Sequence, residues 1–188
     1  MNFSGHFGGG LLAASGMVVV GLLTGELALP ALGSGEAVFS QGVIQVGVVF
    51  ALTLFMALFP DLDTASIPQR WFFRFTFVLL AGLLVAKLYT WFVGVTFFAL
   101  APVLHKHRGW THWKVTPWLL AGFIGVVVEY MRAEDAWFGR FSLEMVGESL
   151  VSHWFLIAAM VVGHYTHLLL DNPLGKWVPF VANKPGHH

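Results

Sequence analysis

The chain has 188 residues, of which 57% are hydrophobic and only 11% are charged, and its mean hydropathy is +0.74. A soluble domain carries about twice this share of charged residues, so the composition indicates that most of the chain is in contact with lipid. Ten Lys and Arg balance ten Asp and Glu, which excludes the basic excess typical of nucleic-acid-binding proteins. Because the chain has no Cys, any metal must be held by His and carboxylates.

Apolar segments of about 20 residues, the length that crosses a bilayer, follow one another along the chain. Residues 8–32 and 38–59 predict the first two spans. The stretch 71–104 is too long for one crossing, so we predict two short central spans that divide near Lys87. Pro117 is suited to open a fifth helix that runs to about Tyr130, and residues 150–170 predict the last span. The sequence therefore predicts an all-α, polytopic transmembrane bundle of about six spans, forming a single domain over residues 1–188.

Six spans would bring several polar segments to one face of the membrane. These are the N-terminal segment with His6, the loop after span two, the loop 105–114 and the end of span six. The opposite loop, residues 131–148, carries four acidic residues against two arginines. The positive-inside rule then predicts that the shared face is cytoplasmic, because it carries most of the basic residues, namely Arg70, Arg74, Lys106, Arg108, Lys114, Lys176 and Lys184.

His and Asp side chains at this face form a candidate metal site. Asp61 and Asp63 flank Leu62, and two carboxylates so close repel each other unless a cation or protons compensate them. His167 and Asp171 lie four residues apart on a predicted helix, so both project from one face, and ionisable groups in a membrane segment usually mark function. The predicted metal ligands are His6, Asp61, Asp63, His107, His112, His167 and Asp171.

Each part of this set also has an ordinary structural interpretation. A solvated turn accounts for Asp61 and Asp63, and a basic, aromatic interfacial loop accounts for residues 105–114. His153 and His164 extend a possible polar stripe along span six, although an interhelical hydrogen bond is the simpler role for His153. Taken together, seven N and O ligands suit two divalent ions that share a carboxylate, with zinc or manganese as the first candidates.

Four short motifs occur in a fixed order along most of the chain. They are Gly5-His6, Phe59-Pro-Asp-Leu-Asp63, His107-Arg-Gly-Trp-Thr-His112 and Gly163-His-Tyr-Thr-His-Leu-Leu-Leu-Asp171. In this pattern the chain resembles the YdjM-type family of inner-membrane proteins, described as membrane-bound metal-dependent hydrolases. The resemblance implies metal-dependent hydrolysis at the membrane and names no substrate. It places at motif positions Asp61, Asp63, His107, His112, His167 and Asp171.

The leading functional hypothesis is a metal-dependent hydrolase of a phosphoester or related ester, with a membrane lipid as a possible substrate. Arg108 would hold the anionic group, and His105 could transfer protons. A divalent metal-ion transporter or metal-binding protein is the alternative, since intramembrane His and Asp suit that role too. A b-type haem protein with His153, His164 or His167 as axial ligand is a third possibility. The sequence leaves the oligomeric state open, because the Gly-rich first span could pack against this chain or another.

Overall fold

A computed structural model describes residues 3–29, 41–63, 66–104, 109–135 and 139–171. Over these ranges the chain is helical, which confirms the predicted all-α class. Short 3₁₀ turns follow α2 at Phe59–Asp63 and α4 at Ala101–Leu104, and another precedes α5 at Trp110–His112. The described ranges contain seven α-helices, which are α1 (Phe3–Thr24), α2 (Gln41–Leu58), α3 (Ile67–Val85), α4 (Tyr89–Leu100), α5 (Thr116–Asp135), α6 (Leu143–Ser152) and α7 (Trp154–Asp171).

Three helical segments are long and apolar enough to cross a membrane, counting only the residues that the structure describes. They are Phe3–Thr24, Gln41–Asp63 and Trp154–Asp171, and they correspond to the predicted first, second and last spans. The apolar α4 is shorter, at 12 residues. In α3, Arg70 and Arg74 interrupt the apolar character, and α5 ends in a charged turn. The predicted count of six spans is therefore not confirmed.

The helices α1, α2 and α7 pack against one another over their lengths. Small residues permit this, because a Cβ added at Gly163 of α7 would lie 2.2 Å from the carbonyl oxygen of Thr53 on α2. On α1, a Cβ at Gly10 would lie 3.0 Å from the Cβ of Ala57. Along the chain, Gly163 and His167 meet Thr53 and Ala57 in the same order, so α2 and α7 are parallel. Gly9 and Gly21 meet Leu170 and Phe155 in the opposite order, so α1 is antiparallel to both. The start of α1 and the ends of α2 and α7 consequently meet at one end of the bundle.

Several glycines of the first span are used within this chain. A Cβ at Gly9 would collide with Leu170 of α7, and one at Gly21 would collide with Leu27 and Phe155. Gly8 and Gly16, in contrast, have no other described atom within reach of an added Cβ. The sequence left open whether the glycines of the first span pack against this chain or another. Gly9, Gly10 and Gly21 pack against other parts of this chain.

The helices α3 and α4 form a hairpin whose turn lies at Lys87. Ser66 caps the start of α3, where its hydroxyl accepts from the backbone N–H of Gln69. At the other end Lys87 has a left-handed φ of 59°, which no continuing helix can adopt. The predicted division near Lys87 is confirmed, although the two helices have 19 and 12 residues instead of about equal lengths.

The region before the last span differs from the prediction. The fifth helix does not end near Tyr130 but continues to Asp135, stabilised in its last turns by an ion pair between Arg132 and Glu129. The predicted polar loop 131–148 contains a separate helix, α6, which begins after Ser142, whose hydroxyl accepts from the N–H of Met145. Of the charged residues that suggested a loop, all but Arg140 lie on α5 or α6.

Candidate metal centre

His167 is the centre of the polar cluster at the end of the α1, α2 and α7 bundle. Its imidazole is fully buried, and Nδ1 donates to the carbonyl oxygen of Ala57 at 2.8 Å. A carbonyl can only accept, so this bond puts the proton on Nδ1 and leaves a lone pair on Nε2 of the neutral ring. Among the described residues Nε2 has no hydrogen-bond partner, and it faces Asp171 Oδ2 at 3.6 Å and Asp61 Oδ1 at 3.8 Å.

His6 enters the cluster from the first helix. Its ring stacks on that of His167, with centroids 4.0 Å apart and an interplanar angle of 12°. Its Nε2 lies 3.1 Å from Asp171 Oδ1, within hydrogen-bonding distance, while its buried Nδ1 has no hydrogen-bond partner in the described structure. The sequence predicted that this N-terminal histidine lies near the other candidate ligands. In the structure it contacts Asp171 and His167, and so it joins the first helix to the last.

His112 reaches the cluster from the 3₁₀ turn before α5. Its ring meets that of His167 edge to face at 5.5 Å, and its Nε2 lies 3.9 Å from Asp171 Oδ2. On the other side of the ring, Nδ1 lies 3.2 Å from the hydroxyl of Thr111, which donates to Asp63 Oδ2 at 2.9 Å. Because the hydroxyl proton goes to the carboxylate, His112 Nδ1–H donates to the hydroxyl oxygen, which fixes the orientation of the ring.

The donor atoms form two overlapping triads, His6/Asp61/His167 and His112/His167/Asp171, and in each triad the atoms lie within 4.8 Å of one another. Ligands held about 2.1 Å from one ion at tetrahedral or octahedral angles lie about 3.0 to 3.5 Å apart. Separations of 3.6 and 3.8 Å are too long for hydrogen bonds but close to this spacing. Carboxylates facing a histidine lone pair repel it, and a divalent cation between them removes that repulsion.

The two triads share one nitrogen lone pair, which limits how many ions they can hold. His167 Nδ1 is engaged by Ala57, so only Nε2 is available, and one lone pair binds one ion. The described residues therefore fit one ion directly. The expected second ion would need further donors, and predicted ligand His107 lies outside the described residues.

The family model for the YdjM inner membrane proteins matches residues 1–176. The chain belongs to this family. The match includes every residue of both triads, and it agrees with the three apolar helices in placing the protein in the inner membrane. No curated protein and no solved structure matches the chain.

In this YdjM protein Asp63 lies outside both triads. Its Oδ2 accepts from Thr111 and lies 3.6 Å from His112 Nδ1, a position that orients the histidine. Thr111 was not identified from the sequence as a residue of the site. In the structure Thr111 is fully buried. Its place within the motif 107–112 was the available signal, because a hydroxyl next to a predicted ligand is a common orienting group.

Further contacts hold the segments that carry the ligands. The Ser66 hydroxyl donates to the carbonyl oxygen of Asp61 at 2.7 Å, and the Gln69 amide donates to that of Leu62 at 3.0 Å, so α3 fixes the turn after α2. From α7, His164 Nε2 donates to the carbonyl oxygen of Trp113 at 3.0 Å, and the Tyr165 hydroxyl donates to that of Lys114 at 3.0 Å. His164 thus anchors the segment that follows His112.

In the sequence analysis, Lys114 served only as one of the basic residues that predict the cytoplasmic face. In the structure it is buried, at 5% exposure, and this burial lowers the pKa of its ammonium group. A buried lysine two residues after His112 was missed because its loop carries no periodic pattern from which burial could be inferred.

Three candidate residues lie outside the described part of the chain, and one further histidine lies away from the cluster. The predicted metal ligand His107 and the predicted catalytic residues His105 and Arg108 lie outside the described residues. His153 is exposed at the end of α6, where Nδ1 bonds to the carbonyl oxygen of Ser149 at 2.8 Å, so the expected interhelical bond is instead local to α6. With His153 on α6 and His164 bonded to Trp113, no described contact favours the haem hypothesis.

Proposed function

We propose that this YdjM-family protein is a metal-dependent hydrolase of a phosphoester or related ester at the cytoplasmic face of the inner membrane. The observation that carries the proposal is the buried Nε2 of His167, which has no hydrogen-bond partner among the described residues and faces the carboxylates of Asp61 and Asp171 at 3.8 and 3.6 Å. A fully packed polar network would fill that position with a hydrogen bond, because an unsatisfied buried nitrogen is costly.

The residues divide into ligands and groups that orient them. His6, Asp61, His112, His167 and Asp171 would hold a divalent ion, with zinc or manganese suited to this mixed N and O set. Asp63 and Thr111 fix the ring of His112, and the Ala57 carbonyl fixes that of His167. When bound, such an ion would supply Lewis acidity and an activated water. Arg108 would hold the anionic group of the substrate, and His105 would transfer protons.

Metal content tests the first half of the proposal. We expect full-length protein, purified in detergent without an added His tag and reloaded with Zn²⁺ or Mn²⁺, to retain at least one ion per chain by mass spectrometry. His167→Ala removes the nitrogen common to both triads, and its metal affinity should fall more than about 100-fold. His153→Ala, a matched loss of an exposed imidazole, should bind as the wild type does. Wild-type protein that takes up no metal would refute the proposal.

Turnover tests the second half. The metal-loaded protein should release phosphate or alcohol from phospholipids or soluble phosphoesters in mixed micelles, and chelation should abolish this release. The activity should disappear in His167→Ala and persist in His153→Ala. If the metal-loaded wild type leaves a broad panel of phosphoester and carboxyl ester substrates intact, the centre is not hydrolytic.

Divalent metal transport is the second candidate, and one observation favours it. His164 lies one turn before His167, and its Nδ1 is buried with no hydrogen-bond partner among the described residues, so donor atoms continue into the bundle. The position of the triads at the ends of three helices favours hydrolysis, since transporter sites typically lie near the midplane. Metal flux into proteoliposomes that Asp63→Ala abolishes would decide for transport.

A further inference from the structure

An apolar groove of about 680 Å³ lies between α1, α2 and α3. Its wall consists almost entirely of aliphatic and aromatic carbon, and α3 contributes to it with a regular helical spacing. Several of these side chains are partly exposed, so the groove opens on the side of the bundle. The residues that characterise it are Phe7, Leu54, Phe55, Leu62, Trp71 and Leu79.

One end of the groove adjoins the metal centre. Leu62, which lines the groove, stands in the chain between Asp61 and Asp63. Phe7, which also lines the groove, directly follows His6 in α1. An apolar molecule in the groove would thus have its polar end close to the His and Asp ligands.

The length of the groove matches one leaflet of a bilayer. On α3 its lining runs from Pro68 to Leu79, which corresponds to about 16 Å at the helical rise of about 1.5 Å per residue. On α2 it runs from Ala51 to Leu58 and continues to Leu62 in the following turn. Since the hydrocarbon core of a bilayer is about 30 Å thick, the groove accommodates a chain from the leaflet on the side of the metal centre.

A cation lies at the edge of the groove. The guanidinium carbon of Arg74 stands 5.3 Å from the ring centroid of Trp71, which lines the groove. This contact holds a positive charge beside the apolar wall, where it would attract the phosphate of an anionic lipid. Charge and shape therefore favour the same occupant.

We propose that this groove holds one acyl chain of an anionic glycerophospholipid and presents the headgroup phosphate to the metal centre. The inference rests on the proposed hydrolase function for what happens to the phosphate, but occupancy of the groove can be measured without turnover. It assigns the substrate class as a membrane phospholipid taken from the side, and it gives Trp71 and Arg74 a role in binding.

Photolabelling tests the proposal. Full-length protein, stripped of metal so that hydrolysis cannot occur, is illuminated in micelles with a phosphatidylglycerol that carries a diazirine in one acyl chain. Digestion and mass spectrometry should locate the adducts on the α2 and α3 segments that line the groove. Ala51→Trp places an indole in the groove from an exposed position of α2 and should abolish most of this labelling. Adducts spread evenly over the apolar helix surfaces would overturn the proposal.

A matched control separates a filled groove from a general disturbance. Ala81 is exposed on α3 and does not line the groove, so Ala81→Trp should be labelled as the wild type is. If Ala51→Trp is labelled as strongly as Ala81→Trp, the groove is not the lipid site. Groove labelling in a protein that hydrolyses no ester would refute the proposed hydrolase function but would still support the groove as a lipid-binding site. Hydrolysis of soluble phosphoesters without groove labelling would refute only the groove.

Discussion

The helices α1, α2 and α7 differ from α3 and α4 in what they bury. The first group encloses polar side chains, since His6, Thr53, His164 and His167 are each exposed by 3% or less. In contrast, the buried residues of α3 are only Pro68 and Thr76, and large side chains such as those of Phe77 and Val93 are exposed. The comparison teaches that α1, α2 and α7 enclose polar side chains, including most of the candidate metal ligands, whereas the α3–α4 hairpin exposes a largely apolar surface.

This division has a physical basis in side-chain size. Glycines and alanines on α1, α2 and α7 let the backbones of these helices approach closely. Little space remains between them, so the few polar side chains buried there have fixed positions. Between α3 and the helices α1 and α2, in contrast, a groove lined largely by aromatic and aliphatic side chains remains open. Substitutions can test whether the two regions are as separable as their packing suggests.

The largest effect should come from closing the gap between α2 and α7. In Gly163→Ala the new Cβ would lie 2.2 Å from the Thr53 carbonyl oxygen, so the helices must separate. We expect the free energy of unfolding to fall by about 3 kcal/mol, and metal affinity to fall as His167 moves from the Ala57 carbonyl. Detergent-induced unfolding and metal titration measure the two effects.

Gly47→Ala is the control for that substitution. Gly47 lies on α2 with no other described atom near its added Cβ, so the replacement should be neutral or stabilise the helix by up to about 1 kcal/mol. Equal unfolding curves for Gly163→Ala and Gly47→Ala would show that close packing of α2 and α7 is not what holds the centre together.

An intermediate effect should follow the loss of the Thr111 hydroxyl. Thr111→Val keeps the shape of this buried side chain but removes the link between His112 Nδ1 and Asp63. Metal affinity should fall about 10- to 100-fold in a competition titration, because orienting groups contribute this much at metal sites. Thr111→Ser retains the hydroxyl and should stay near the wild-type affinity. If the valine variant binds metal normally, Asp63 and Thr111 are structural only.

The smallest effect on the candidate metal centre should come from changing the contacts that connect α5 to the start of α6. The Glu129 carboxylate accepts from Arg132 at 2.6 and 2.7 Å and from the N–H of Ser142 at 3.1 Å. Glu129→Gln should lower the unfolding midpoint slightly and leave metal affinity unchanged, whereas Glu134→Gln, at an exposed position, should change neither. A loss of metal affinity in Glu129→Gln would show that the candidate centre also depends on the contact between α5 and the start of α6.

The convergence of the ligands was predictable from the sequence even though the span count is not confirmed. It depends on the directions of α1, α2 and α7, and any odd number of crossings between α2 and α7 gives these two helices the same direction, as the predicted six spans do. Because α1 starts at the face where α2 and α7 end, His6, Asp61 and Asp171 meet there. Helical spacing likewise placed His167 and Asp171 on one face.

Other features could not be read from the pattern. The Ala57 carbonyl that fixes His167 is a backbone group, and any residue at that position would carry one. The close approach at Gly163 depends on which helix lies opposite, and periodicity in one helix does not reveal its neighbour. The start of α6 was predictable, since Ser is a favoured N-cap residue and Glu144 lies in the first turn, but the charges of 131–148 outweighed that signal in the prediction.

The contact between His6 and Asp171 joins the beginning of the first helix to the end of the last. Such a contact has a high sequence separation, so it forms late in folding, after the intervening loops have been closed. During synthesis, α1 and α2 enter the membrane before α7 exists, and they carry His6 and Asp61 without their partner His167. The centre is therefore completed in one step, by the docking of α7, and metal capture would serve as a checkpoint for correct membrane insertion.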